Sequence, residues 1–153
     1  MSLTQSLLPL WQEARTRFSN QLNQLEAADL KKKLPTSPNS VGFLIRHIGD
    51  VELLFAKNVF GAKEIHITAK TVIDQHDSGV WTDLEELKAY VNQSFDQLKM
   101  IIEKQSDEHW ETVIETKEFG AKTKAEALGR IISHTAYHAG QMAMILKYGR
   151  HQN

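Results

Sequence analysis

Apolar residues recur at intervals of three and four along four stretches of this chain, and polar segments separate them. That rhythm predicts amphipathic helices, each burying one stripe. The last stretch, from Thr123 to Lys147, is the most clearly bounded. Thr123 as N-cap with Glu126 three residues later forms a capping box, and Gly149 supplies the stop. Between them Leu128, Ile131, Thr135, Met142 and Ile145 form the inward row.

The first stretch predicts a helix over most of residues 3–30, with Leu3, Leu7, Leu10, Ala14, Phe18, Leu22 and Leu25 on one side. Pro9 interrupts it, so the helix is expected to start near Ser6 or to bend there. Trp11 flanks the stripe and reads as core filler. After the break KKKLPTSPN a second helix is predicted over about residues 38–59, capped by Ser37 or Asn39 with Pro38 in its first turn. Its apolar row is Val41, Leu44, Ile48, Val51, Leu54 and Phe55. A third helix, opened by a capping box of Thr82 and Glu85, is predicted to run to about Lys104 with Leu84, Leu87, Val91, Phe95, Leu98 and Ile102 inward.

Residues 61–81 form a connection longer than compact helical domains usually carry, a length that marks functional or crossover segments. No strand is predicted in it, and its His66 and His76 read as exposed loop residues. Residues 105–122 predict a helical turn capped by Ser106, then a turn or short hairpin at Thr112–Ile114 and Phe119–Gly120. His109 and Trp110 read as surface and core-edge residues. The expected fold is an all-α four-helix bundle, one domain over residues 1–153.

Composition narrows the chemistry. With 153 residues, 41% of them hydrophobic, the chain can bury a sizeable core. It has no cysteine, which excludes a disulfide framework, a thiolate metal site and a cysteine nucleophile. Any metal must be held by histidine or carboxylate, and any thiol chemistry needs a thiol from outside. The net charge of −1, with both signs interspersed, gives no footprint for nucleic acid. Apolar runs such as Leu53–Ala56 are too short to span a bilayer, the short Lys31–Lys33 run reads as a solvated helix end, and the start of the chain lacks the pattern of a signal peptide. A cytoplasmic location and no membrane contact are therefore expected.

Within the fourth helix His134 and His138 stand one turn apart, so their rings can converge on one cation. Seven histidines placed at random in 153 positions would give about 0.3 pairs so spaced, so the pair needs a third ligand. His47 is the candidate: it lies three past Leu44 and four before Val51, which turns its ring toward the buried side of the second helix. It sits about 14 Å into that helix and His134 about 15 Å into the fourth, level if the two run parallel. If a crossover makes them antiparallel, His138, about 14 Å from the far end, is level instead. Three neutral imidazoles would hold zinc, nickel or iron and leave a coordination position open. Such a site can activate water or an external thiol. Gln141, which continues the histidine row, and Asp50, one turn beyond His47, are candidates for orienting the ligands or contacting substrate. Ordinary satisfied core histidines are the competing reading.

The segments SVGFLIRHIGDVE and HTAYHAGQ, with the long second connection between the helices, resemble the DinB-like superfamily of metal-binding four-helix proteins along essentially the whole chain. The resemblance implies a triad of one second-helix and two fourth-helix histidines, here His47, His134 and His138. Relatives include transferases and isomerases that use low-molecular-weight thiols such as bacillithiol, mycothiol or glutathione, and many are dimers. This chain has Phe43 where some relatives carry tryptophan, so the resemblance does not carry a substrate. The expectation is a divalent-metal-dependent homodimer acting on a small molecule, with the metal activating a thiol or water for transferase or hydrolase chemistry. The alternative is a non-catalytic, stress-related helical protein that binds metal or a small ligand.

Overall fold

The computed structural model describes residues 1–151. It is mostly helical, with long helices α1 (Leu3–Gln24), α2 (Val41–Asn58), α4 (Leu84–Glu103) and α6 (Lys124–Tyr148), and short helices α3 (Lys70–Asp74) and α5 (Asp107–Glu111). Two antiparallel ribbons accompany them, β1 (Lys32–Lys33) with β4 (Arg150–His151), and β2 (Val113–Thr116) with β3 (Gly120–Thr123). The second is the anticipated hairpin. The first was not anticipated; strands of two residues are too short to show an alternating pattern.

Several predicted boundaries move. α1 begins at Leu3 under a capping box formed by Ser2 and Gln5, and it carries Pro9 inside. It ends at Gln24, and a 3-10 turn over Ala27–Lys31 completes the stretch. Its buried row is Trp11, Arg15, Phe18 and Leu22; Phe18, Leu22 and Leu25 are buried as predicted, while toward the start of the helix the stripe moves one step, to Trp11 and Arg15 in place of Leu10 and Ala14, and Leu10 is exposed. The second helix opens at Val41 on Ser40, whose hydroxyl accepts from the Phe43 amide at 3.2 Å, not on Ser37 or Asn39, and Pro38 stays outside. α4 is capped by Asp83 accepting from the Glu86 amide at 2.9 Å, in place of the Thr82–Glu85 box. In α6 the predicted box of Thr123 and Glu126 is present, and Gly149 closes it.

The core fixes the direction of each helix. Phe18 and Leu22, Val41 and Ile48, Leu87 and Val91, and Met142 and Ile145 share one cluster. Trp11, Leu53 and Phe55, Leu98 and Ile102, and Leu128 and Ile131 share the other. α1 and α6 therefore run one way, α2 and α4 the other. The antiparallel alternative for the second and last helices is the one adopted, and residues 59–83 cross the molecule between α2 and α4. The crossover is pinned at its end: the Ser40 amide donates to Asp77 Oδ2 at 2.8 Å. Trp81 lies so close that a Cβ at Gly42 would stand 1.9 Å from its carbonyl oxygen. Only glycine fits there.

α2 is the central helix, buried on most of its circumference. It even buries a charge. Glu52 receives Arg15 Nε at 2.5 Å, Arg15 Nη2 at 3.2 Å and the Ser94 hydroxyl at 2.5 Å, and Arg15 also donates to Val91 O and Ser19 Oγ. With every strong donor and acceptor matched, the pair ties α1, α2 and α4 together. Trp110, expected at the core edge, is fully buried, with its indole N–H donating to Thr4 Oγ1 at 2.7 Å. Among the described residues no helix is long and apolar enough to cross a membrane.

Candidate metal centre

His47 comes from the middle of α2, and His134 and His138 come from successive turns of α6. Their Nε2 atoms converge: His134 lies 3.1 Å from His47 and 3.1 Å from His138, and one ligand atom from each ring falls within 4.8 Å of the others. The predicted trio is therefore brought together, by the crossover topology that makes His138 level with His47.

The outer ring nitrogens decide what the inner ones offer. Thr71, on α3 in the crossover, gives its hydroxyl proton to Asp50 Oδ2 at 2.7 Å, so its oxygen is left to accept His47 Nδ1–H at 3.1 Å. Gln141 Oε1, an acceptor, takes His138 Nδ1–H at 2.6 Å. Both rings therefore turn a bare Nε2 lone pair inward. His134 Nε2–H could donate to only one of them, which would leave the other lone pair without a donor at close range. A shared cation removes that conflict. For metal–nitrogen bonds of 2.0–2.1 Å in tetrahedral array the nitrogens stand about 3.3 Å apart, close to the observed spacing. His134 Nδ1 is buried without a partner. The donor set fits a borderline divalent cation such as zinc, nickel or iron.

Protonation competes with that role, and the site suppresses it. Burial, then the charge of His138, lowers His47 to about 4; burial with the charges of His138 and His47 lowers His134 to about 3; burial lowers His138. The unfolded chain's imidazoles titrate near 6.5, so between that pH and about 4 it binds more protons than the folded chain. Stability of metal-free protein is thus retained above pH 6.5 and lost as pH falls through this window. Melting of chelator-treated protein is expected to change little from pH 7.5 to 6.5 and then to fall by more than about 5 °C by pH 4.5. His134→Asn should flatten the fall, and a melting point independent of pH across the window would contradict the half-buried neutral trio.

Asp50, fully buried, makes no direct hydrogen bond to a ring nitrogen. It accepts from the Thr71 amide and hydroxyl, Arg46 Nε at 2.9 Å and the Tyr90 hydroxyl at 2.5 Å. Burial and then the Asp50 hydrogen bond push the Tyr90 hydroxyl well above its ordinary range, so it stays a donor. Asp50 reaches His47 only through Thr71. Gln141 likewise holds the outer nitrogen of His138. Both candidates are thus placed to position ligands. Thr71 escaped sequence reading because it is an unremarkable threonine 24 residues from its histidine; the unusual length of its segment was the available signal. Thr71→Val strands His47 Nδ1–H, and metal affinity is expected to fall about 10–100-fold, with Thr71→Ser restoring it, measured by competition with a chelating dye. An unchanged affinity in Thr71→Val would show that the hydroxyl does not orient the ring.

On its inner side the trio opens to a cavity of about 650 Å³ with Val51, Leu54, Phe55 and Val72 on its walls and Arg130 and Glu118 beside it. Arg130 and Glu118 pair at 3.7 Å at the surface, and Glu118 comes from the β2–β3 turn, where sequence patterns offered no sign of a role. His66 lines a different cavity, and His76 and His109 are exposed, apart from the centre.

A half-buried trio of histidines on two antiparallel helices, one of them bracing a crossover, defines the class of protein. Residues 10–142 match the family model of the DinB superfamily, and the chain belongs to that superfamily. Among solved structures it is similar to the mycothiol-dependent maleylpyruvate isomerase, with a TM-score of 0.72 at 15% identity over 91% of this chain. A histidine-to-alanine mutant of that isomerase gives a TM-score of 0.69, also at 15% identity and 91% coverage. In both, the match spans 60% of the isomerase chain. At this identity the likeness is one of fold. No curated protein matches by sequence.

Proposed function

We propose that the chain is a divalent-metal-dependent enzyme in which His47, His134 and His138 hold the ion and a small-molecule thiol or water is activated at its open side. The observation that carries this reading is the pair of bare Nε2 lone pairs, on His47 and His138, turned toward His134 beside a cavity large enough for a small substrate. When bound, the metal supplies a Lewis acid that lowers the pKa of a coordinated thiol or water. The protein's residues do the rest. Thr71, held by Asp50, and Gln141 fix the rings, and the walls formed by Val51, Leu54, Phe55 and Val72 exclude water and take the apolar part of a substrate. Arg130 offers a cation to a carboxylate, and Glu118 is the carboxylate on the wall of that cavity for proton transfer.

A cysteine-free chain needs its thiol from outside, and transferase chemistry with a low-molecular-weight thiol accords with the isomerase likeness. We read the arrangement as a four-helix bundle acting as a cytoplasmic homodimer. Metal-loaded protein assayed with bacillithiol, mycothiol and glutathione against electrophilic acceptors is expected to give conjugation with at least one thiol, lost in His134→Ala, His138→Ala protein. Absence of conjugation with every thiol, together with no hydrolysis of activated esters, would contradict an enzyme and leave metal or ligand binding as the function.

A further inference from the structure

A second cavity, of about 520 Å³, lies on the opposite side of α2 from the open face of the histidine trio, between α4 and the crossover. It shares no lining residue with the metal-facing cavity. Its charge is one-sided: Arg46, Lys70 and Lys104 stand on its walls against a single carboxylate, Glu64. Leu53, Ile65, Ile67, Met100 and Ile101 make the apolar middle.

Arg46 is set up as a receptor. Its guanidinium packs over Tyr90 at 3.7 Å and Trp81 at 4.8 Å, which holds the fork flat. Nε is used on Asp50 at 2.9 Å, and among the described residues Nη1 and Nη2 have no partner. Two free donors on a fixed plane match a carboxylate. About two helical turns further along α4, roughly 10 Å from Tyr90, Gln97 presents the complementary need. Its Oε1 is buried with no hydrogen-bond partner, and such an acceptor calls for a donor.

We infer that this cavity binds a small organic carboxylate whose apolar chain carries a hydrogen-bond donor, with the carboxylate on Arg46 and the donor on Gln97. The site does not overlap the metal-facing cavity. A hydrogen-bond chain through Asp50 and Thr71 joins Arg46 to His47, so occupancy and metal binding share one buried carboxylate.

The test uses 6-hydroxyhexanoate as probe, titrated into isotopically labelled, metal-loaded protein and followed by NMR. Saturable shifts are expected in residues 64–70 and in the side-chain amides of Gln93 and Gln97. Binding should weaken at least tenfold for 1,6-hexanediol, which lacks the anion, and several-fold for hexanoate, which lacks the donor. Met100→Trp, at a half-exposed wall position far from Asp50, should fill the space and weaken binding at least tenfold; Arg46→Met should do the same, and Lys70→Met serves if Arg46→Met fails to fold. No saturable shift, equal binding of the diol, undiminished binding in Met100→Trp, or shifts confined to residues of the metal-facing cavity such as Ser133 and Tyr137 would overturn the assignment.

Discussion

Arg15→Met is expected to destabilise the protein by about 3–5 kcal/mol, because it leaves Glu52 as an uncompensated charge in the interior. The Glu52 side chain is fully buried, and Arg15 supplies two of the three donors that satisfy it, the other being Ser94. Loss of the guanidinium also removes packing over Phe18 and Phe95, which lie 5.0 and 4.7 Å from it. In a domain of this size the melting point should drop by roughly 10 °C. Arg15→Met combined with Glu52→Met should recover most of that loss, since apolar replacement of a whole buried pair is often neutral. Urea denaturation of the two variants measures both effects. A cost below about 1 kcal/mol for the single variant would mean that Glu52 is neutralised or hydrated by another route.

Removal of any one of the three histidines is expected to have the largest effect on metal affinity. His47→Ala, His134→Ala and His138→Ala should each lower it by more than the roughly 100-fold that loss of an orienting partner produces. The expectation follows from geometry, because each ring contributes one Nε2 to a site that has no spare imidazole among the described residues: His66, His76, His109 and His151 lie elsewhere. The same loss is visible in stability. A ligand that binds only the folded chain at about 1,000 times its dissociation constant adds roughly 4 kcal/mol, so saturating metal should raise the melting point of the native protein by roughly 10 °C and leave the variants almost unmoved. Thermal scans with and without added zinc or nickel report this directly. An equal rise in His134→Ala protein would place the ion at another site.

Much of this was legible in the residues. The spacing of apolar positions marked the four long helices, and the box of Thr123 and Glu126 with Gly149 bounded α6 to within a residue. His134 and His138 stood out by their one-turn spacing, and His47 because a polar ring on an apolar row needs a reason. The course of the chain was not legible. Depth along the helices placed His47 level with His134 in one topology and with His138 in the other, and only the shared core clusters of α2 and α6 resolve them as antiparallel. Charges on buried stripes were equally hidden. Nothing in the sequence marked Arg15 or Glu52, since periodicity cannot show that two charges on different helices will meet and satisfy each other. Asp50 was singled out as a partner of His47, but the hydroxyl of Thr71 that joins them lies in an irregular segment with no pattern to read.

The central claim is that three imidazoles share one divalent ion. X-ray absorption at the metal edge of protein purified without chelator, with its metal content, tests it most directly. About one ion per chain, with scattering from three imidazole nitrogens at about 2.0–2.1 Å, is the predicted result. An ion without imidazole scattering, or the same metal content in His134→Ala, His138→Ala protein, would contradict it.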